Sequence, residues 1–270
     1  MSPARNAGRV RMAAMSFRVS AITLDLDDTL WPFAPIGARI ERVLDDWLRR
    51  HCPRTAERFP VLRMRALREQ VFAERRDLAH DFSQLRRLSL QRAMELSGDD
   101  PAHADTAFEV FYAERNRVEF YADAEAALAR LAARVPVAAV SNGNADLATI
   151  GIDHHFAFSL GAREHGAAKP EASIFHAACE RLGLAPAAVL HVGDHADLDV
   201  VGAHRAGLRS CWLNRPDERG DIAPWPHAEP RPDLEFATLT ALADWLDASL
   251  PATSSPALPA TAPPPESCPT

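Results

Sequence analysis

Apolar residues fall into two textures along this chain. Over 17–33 and 120–247, short apolar runs alternate with longer stretches of helical periodicity. The runs are VSAITLDL (19–26), VPVAAVS (135–141), FAFSLGA (156–162), AAVLHVGD (187–194) and LRSCWLN (208–214). They are continuously apolar rather than alternating, which fits strands buried on both faces. The stretches between them, such as 123–134 and 171–183, repeat apolar positions every three to four residues, as amphipathic helices do. Strand–helix–strand alternation predicts an α/β fold, a parallel sheet wrapped by helices.

Residues 34–119 read differently. Ile36, Ile40, Val43, Leu44, Trp47 and Leu48 recur at helical spacing and give one apolar face. Further helical patterns follow at 57–79, 84–97 and 102–118. Asp100-Pro101 resembles an N-cap with proline in the first turn. The expected organisation is a flexible segment over 1–16, a discontinuous core over 17–33 and 120–247, an all-helical insert over 34–119, and a disordered tail over 248–270. The tail is Pro, Ala, Ser and Thr with little to bury.

Composition narrows the class. Of 270 residues, 47% are hydrophobic and 25% charged, ordinary for a soluble protein with a real core. A net charge of −7 argues against nucleic-acid or anionic-membrane partners. No apolar run approaches the ~20 residues of a membrane helix. The start MSPARNAGRVRMAAMSF is basic without an apolar stretch, so it does not read as a secretory signal; Met12 and Met15 are alternative starts. Cys52, Cys179, Cys211 and Cys268 form no C-x-x-C pair, which predicts a reduced, cytoplasmic chain without structural zinc. Nothing specifies an oligomeric state.

Charge is unevenly spread. The insert holds sixteen arginines against fifteen acids (+1), the remainder fourteen cations against twenty-two acids (−8). Arginines there either help hold an anionic substrate or are solvated helix faces. Lys169, before Pro170, is the only lysine among thirty cations. Lysine is a compact point charge where arginine is a wide fork, so a single retained lysine points to a site that needs a small cation.

Acids gather where apolar runs end. Asp25, Asp27 and Asp28 close the first run; Asp194, Asp197 and Asp199 follow the run at 187–194; Ser141 and Asn142 close the run at 135–141. In open α/β sheets ligands bind beyond the carboxyl ends of strands. Carboxylates crowded there raise one another's pKa unless a cation balances them, and an all-oxygen ligand set suits a hard ion such as Mg²⁺. Asp28 reads as a turn or cap residue.

Asp25-x-Asp27-x-Thr29, Ser141 closing a strand, Lys169-Pro170, and Gly193-Asp194 with Asp199 five further on resemble, in order, the four motifs of the haloacid dehalogenase-like (HAD) superfamily. The resemblance spans about 20–214 and implies a Rossmann-like core with the insert as a C1-type cap. It implies that Asp25 is the nucleophile, forming an aspartyl-phosphate, and that Asp27 is general acid and then base. Ser141 and Asn142 would bind phosphate with Lys169, which would sit against Asp25. Mg²⁺ would be held by the Asp25 carboxylate, the Asp27 carbonyl and Asp194, with Asp199 supporting it directly or through water. Leu198 departs from the Asn or Asp that relatives often carry there. The dehalogenases that name the superfamily lack an acid two residues after the nucleophile and need no metal, so Asp27 and Asp194 favour phosphate chemistry.

The flanking sequences ITLDLDDTLWP, SNGNAD and VLHVGDHADLDVVGAHRAGLRSCWLN are most similar to bacterial flavin mononucleotide and riboflavin-pathway phosphatases. A Mg²⁺-dependent phosphomonoesterase acting on a small phosphorylated metabolite is expected. Alternatives are a sugar phosphate, phosphoglycolate or nucleotide substrate, a HAD-type dehalogenase, or a non-catalytic binding module. His191 reads as core and His154-His155 as surface. His195 reads as structural, with contact to metal-bound water as its alternative. Trp31, Pro32 and Phe33 either stack on an aromatic substrate or pack the junction with the insert.

Overall fold

The continuous apolar runs become an all-parallel sheet in a computed structural model that describes residues 17–217 and 219–249. The segments expected to be flexible, 1–16 and nearly all of 248–270, lie outside the described residues, as do Met12, Met15 and Cys268. Strand β1 is Ala21–Leu24. Five helices of the insert follow: α1 Phe33–His51, α2 Pro53–Arg58, α3 Val61–Glu74, α4 Phe82–Ser97 and α5 His103–Arg115. The core resumes with α6 Ala124–Arg134, β2 Val137–Ser141, α7 Leu147–Ile150, β3 Phe158–Gly161, α8 Ala162–His165 and α9 Ala172–Leu182. It ends with β4 Val189–Gly193, α10 Gly202–Arg205, β5 Arg209–Leu213, β6 Leu234–Phe236 and α11 Leu239–Ser249.

The strand order is β3-β2-β1-β4-β5-β6, and every pairing is parallel. β1, β2 and β4 are buried at every residue, which explains why they read as unbroken apolar runs. From β1 the chain builds outward through β2 and β3, then returns to β4 on the other side of β1. That reversal opens a crevice between β1 and β4, the place where doubly wound sheets bind ligands.

The structure differs from the sequence expectations at four points. The helix expected over 57–79 is broken. Pro60 lacks an N–H and disfavours helical backbone at Phe59, so α2 ends at Arg58 and α3 starts at Val61. Pro101 lies in the turn before α5, not in its first turn; Asp100 Oδ1 accepts from Ala102 N at 2.9 Å and the helix begins at His103. The sixth strand, β6, was not legible, because three residues beside a proline-rich loop carry almost no periodic signal. The C-terminal helix also runs to Ser249, past the expected core limit of 247.

Within the insert, α1 buries Ile36, Ile40, Leu44, Trp47 and Leu48, the face its spacing predicts. α5 packs beside it, with Arg39 Nε donating to Glu114 at 2.9 Å. Cys52, Cys179 and Cys211 are buried free thiols. Among the described residues, no helix is long and apolar enough to cross a membrane.

Candidate active site

A cleft of about 620 Å³ lies over the ends of β1, β2 and β4, with the insert as its opposite wall. Asp25, Asp27, Ser141, Asn142, Lys169, Asp194 and Asp199 all line it. The structure thus brings every candidate catalytic, phosphate-binding and metal-binding residue into one space.

Asp25 directly follows β1, its N–H donating to Val192 O at 2.9 Å. Lys169 Nζ sits between two carboxylates, 2.5 Å from Asp25 Oδ1 and 2.6 Å from Asp199 Oδ1. Lys169 is only 3% exposed. Burial opposes its charge, but Asp199 and Asp25 outweigh burial and raise its pKa above the ordinary lysine value. The Asn142 side chain fixes the backbone of Lys169, accepting from its N–H at 2.7 Å and donating to its carbonyl at 2.9 Å. The Asn142 side chain thus places Lys169, while Asn142 itself lines the cleft.

Asp199 returns to the site on a π-helical turn, Ala196–Val201. Its Oδ1 also meets His191 Nε2 at 3.1 Å, and its Oδ2 accepts from His195 N at 2.9 Å. Burial raises its pKa, yet Lys169 and His191 prevail and hold it well below the usual carboxylate range. Gly193 makes this approach feasible, since a Cβ there would lie 2.3 Å from the Asp199 carboxyl carbon. His191 is buried and bonded to Thr23 Oγ1 at 2.9 Å; burial pushes its pKa down. It is core, as its place within a strand suggests, but its ring also orients Asp199. His195 Nδ1 accepts from the N–H groups of Asp197 and Leu198, a capping role. The His154 and His155 rings are tilted against each other, with centroids 4.0 Å apart, and are at least partly exposed.

The electrostatics expose a surplus of negative charge. Burial drives the Asp25 pKa well above normal, more than Lys169 lowers it, and Asp199 and Asp194 push the same way. Burial lifts the Asp194 carboxyl to about 7, with Asp199 and Asp28 adding and Thr29 Oγ1, 3.2 Å away, opposing. Three carboxylates share one lysine here. Oxygens of Asp25, Asp194 and Asp199 lie within 4.8 Å of one another, a donor set that fits a hard divalent cation.

Asp27 points elsewhere. Both its oxygens accept from Arg115 Nη2, at 2.9 and 2.7 Å, and Oδ1 also accepts from Trp31 Nε1 at 2.8 Å. Trp31 is fully buried against Phe120, so it packs the junction and aims Asp27; Phe33 lines the cleft instead. Asp28 adopts φ 56° and caps α1 by accepting from Phe33 N at 2.8 Å. Gly143 passes so close that a Cβ would lie 2.7 Å from Asp27 Oδ2, while its N–H donates to Ser141 Oγ at 3.0 Å.

Arg115 was not singled out from the sequence. It is 2% exposed, with Nη1 unpaired and buried. A buried arginine closing an apolar helical face was the available signal, hidden among the insert's fifteen other arginines. Arg68 and Arg86 also line the cleft, while Arg49, Arg65, Arg75 and Arg92 pair with nearby acids on exposed helix faces.

A doubly wound parallel sheet whose central strand ends carry buried carboxylates around one buried lysine is a Rossmann-like α/β enzyme core. The chain belongs to the haloacid dehalogenase-like hydrolase family, whose model matches residues 19–207. It is 33% identical over 229 residues to 5-amino-6-(5-phospho-D-ribitylamino)uracil phosphatase of Escherichia coli, covering 83% of this chain and 95% of that one. It is 37% identical over 131 residues to phosphoserine phosphatase of Thermus thermophilus, 46% of this chain and 53% of that one. A solved structure described as 2-haloacid dehalogenase from Pseudomonas syringae pv. Tomato DC3000 superposes with a TM-score of 0.77 at 34% identity, over 85% of this chain and 99% of that chain.

Proposed function

We propose that this hydrolase cleaves phosphomonoesters through an aspartyl-phosphate on Asp25. The observation that carries the reading is the Asp25–Lys169–Asp199 arrangement with Asp27 held two residues on, on a separate cation. Asp25 would attack phosphorus as the bond to the leaving oxygen breaks, and Asp27 would protonate that oxygen. Asp27 would then take a proton from the water that attacks the aspartyl-phosphate, releasing phosphate and restoring Asp25. Lys169 balances charge beside the nucleophile, and Ser141 supplies a hydroxyl at the same strand ends. Arg115 and Trp31 aim Asp27.

Mg²⁺ would be held by Asp25 and Asp194, with Asp199 placed chiefly to hold Lys169. When bound, the ion supplies positive charge that lets an anionic carboxylate approach an anionic phosphate. The helical insert would act as a cap that closes the cleft and excludes water. The likeness to the E. coli pyrimidine-intermediate phosphatase over 95% of that protein supports a riboflavin-pathway phosphate, flavin mononucleotide among the candidates.

Dehalogenation is the second reading, favoured by the P. syringae likeness. It makes no use of Asp27 or Asp194. A screen of phosphorylated metabolites with Mg²⁺, flavin mononucleotide included, tests the first reading against 2-haloacids. Asp25→Asn should keep its fold and Tm while p-nitrophenyl phosphate turnover falls at least ~10³-fold. Wild-type turnover in that variant would overturn the assignment.

A further inference from the structure

The wall that the insert turns toward Asp25 differs in chemistry from the strand ends. Phe33, Phe72 and Phe82 line the cleft and are 38%, 41% and 42% exposed. These are three of only six large hydrophobic side chains exposed among the described residues. The Phe72 and Phe82 rings are neighbours, with centroids 6.1 Å apart. Exposed aromatic faces gathered in one concave place mark a surface that a ligand covers.

Two cations, Arg68 and Arg86, line the same cleft. The Arg86 guanidinium lies 4.5 Å from the centroid of the Phe111 ring, an attractive placement for a cation. Among the described residues, neither Arg86 nor Arg68 forms a hydrogen bond or ion pair. Burial pushes the Arg86 pKa down to about 9, and Arg68 adds to the effect. Glu41 opposes this, but its carboxylate is paired with Arg65. A partly buried guanidinium with several free donors binds carbonyl or anionic oxygens well.

We propose that Arg86, seated on Phe111 and flanked by Arg68, is the specificity residue for the leaving group, binding the oxygen-bearing edge of a flat heteroaromatic ring covered by Phe72 and Phe82. The proposal rests on Asp25 marking the phosphoryl end of the same cleft. Phosphate at the strand ends and ring at the insert wall fix the substrate class: a phosphomonoester whose alcohol carries a planar, carbonyl-edged heterocycle. Purely aliphatic phosphates leave both the rings and the guanidinium uncovered.

The test compares flavin mononucleotide with D-ribitol 5-phosphate, which has the same chain and phosphate but no ring. Wild-type kcat/KM should favour flavin mononucleotide by about tenfold or more, and Arg86→Met should collapse that ratio toward unity, since a charged hydrogen bond is lost only with the ring. In parallel, quenching of riboflavin fluorescence reports ring binding without phosphate, and Arg86→Met should weaken it about tenfold. Far-UV circular dichroism checks that the variant folds, and Phe82→Leu gives a second, smaller loss through the same wall. Equal use of the two substrates by the wild type, an unchanged ratio in the variant, or undiminished riboflavin binding would overturn the proposal. So would a wild-type preference for fructose 1,6-bisphosphate that Arg86→Met removes, which would assign the pair to a second anion. Hydrolysis of neither phosphate nor p-nitrophenyl phosphate would instead sink the phosphatase reading, and the riboflavin titration would still decide the ring subsite.

Discussion

Lys169 touches two acids with one ammonium, and all three groups are buried. Guanidinium is wider and planar, so it cannot place a single charge 2.5–2.6 Å from both carboxylates. Lys169→Arg should fold yet lose about 100-fold in kcat on p-nitrophenyl phosphate; near-normal kcat would refute the point-charge argument. In the proposed mechanism Arg115 acts through Asp27, whose two oxygens it holds, rather than on substrate. Arg115→Met should lower kcat about 10–100-fold with KM changed less than about threefold, because a misaimed acid slows chemistry more than binding. Arg115→Lys should recover part of the loss. A change confined to KM would place Arg115 on the substrate instead. Asp25, Lys169 and Asp194 were legible because each sits in a short, local motif. Arg115 was not, because its partner is 88 residues away.

At the scale of elements, one side chain ties the return from the insert to the end of the fold. Asp123, before α6, accepts from Arg215 Nη1 at 2.8 Å and from the first N–H groups of α11, Leu239 at 2.7 Å and Thr240 at 3.3 Å. Burial pushes its pKa up, but Arg215 and those N–H groups prevail and leave it lowered. A depressed folded pKa contributes stability above the unfolded value, about 4, and loses it as pH falls through the folded value. Asp123→Asn should therefore cost about 1 kcal/mol at pH 7, with the difference from wild type shrinking below about pH 4. Urea denaturation at both pH values measures this; an equal cost at each would show that charge is not the cause. Helix faces such as that of α1 were readable from spacing. The break at Pro60 and the start of α5 depended on single turn residues, where local chain geometry overrides periodicity.

For the whole molecule, the defining feature is a surplus of buried carboxylate at the β1–β4 crevice. Its charge is balanced only in part by Lys169, which predicts dependence on a divalent cation. EDTA should abolish phosphatase turnover and Mg²⁺ should restore it. Mg²⁺ should also raise Tm in the absence of substrate, since a ligand bound only to the folded state stabilises it. Activity indifferent to EDTA would favour the dehalogenase reading. The core lines the cleft with carboxylates and a lysine, and the insert lines it with phenylalanines and arginines.

The α/β class, the helical insert and the acids at the strand ends could be read directly along the chain, because strand burial, helix period and motif spacing are properties of neighbouring residues. Which arginines face the cleft could not. Arg49 and Arg65 pair on the helix surface, whereas Arg86 lies over Phe111 and Arg115 grips Asp27. All four are arginines on helices of the insert, and residue type alone does not separate them. Their difference comes from how the helices pack against one another and against the sheet, a matter of contacts between residues far apart in the chain. For the same reason the sequence did not show that the Asn142 side chain holds the backbone of Lys169. An amide's donors and acceptors are local, but their partner is chosen by the fold.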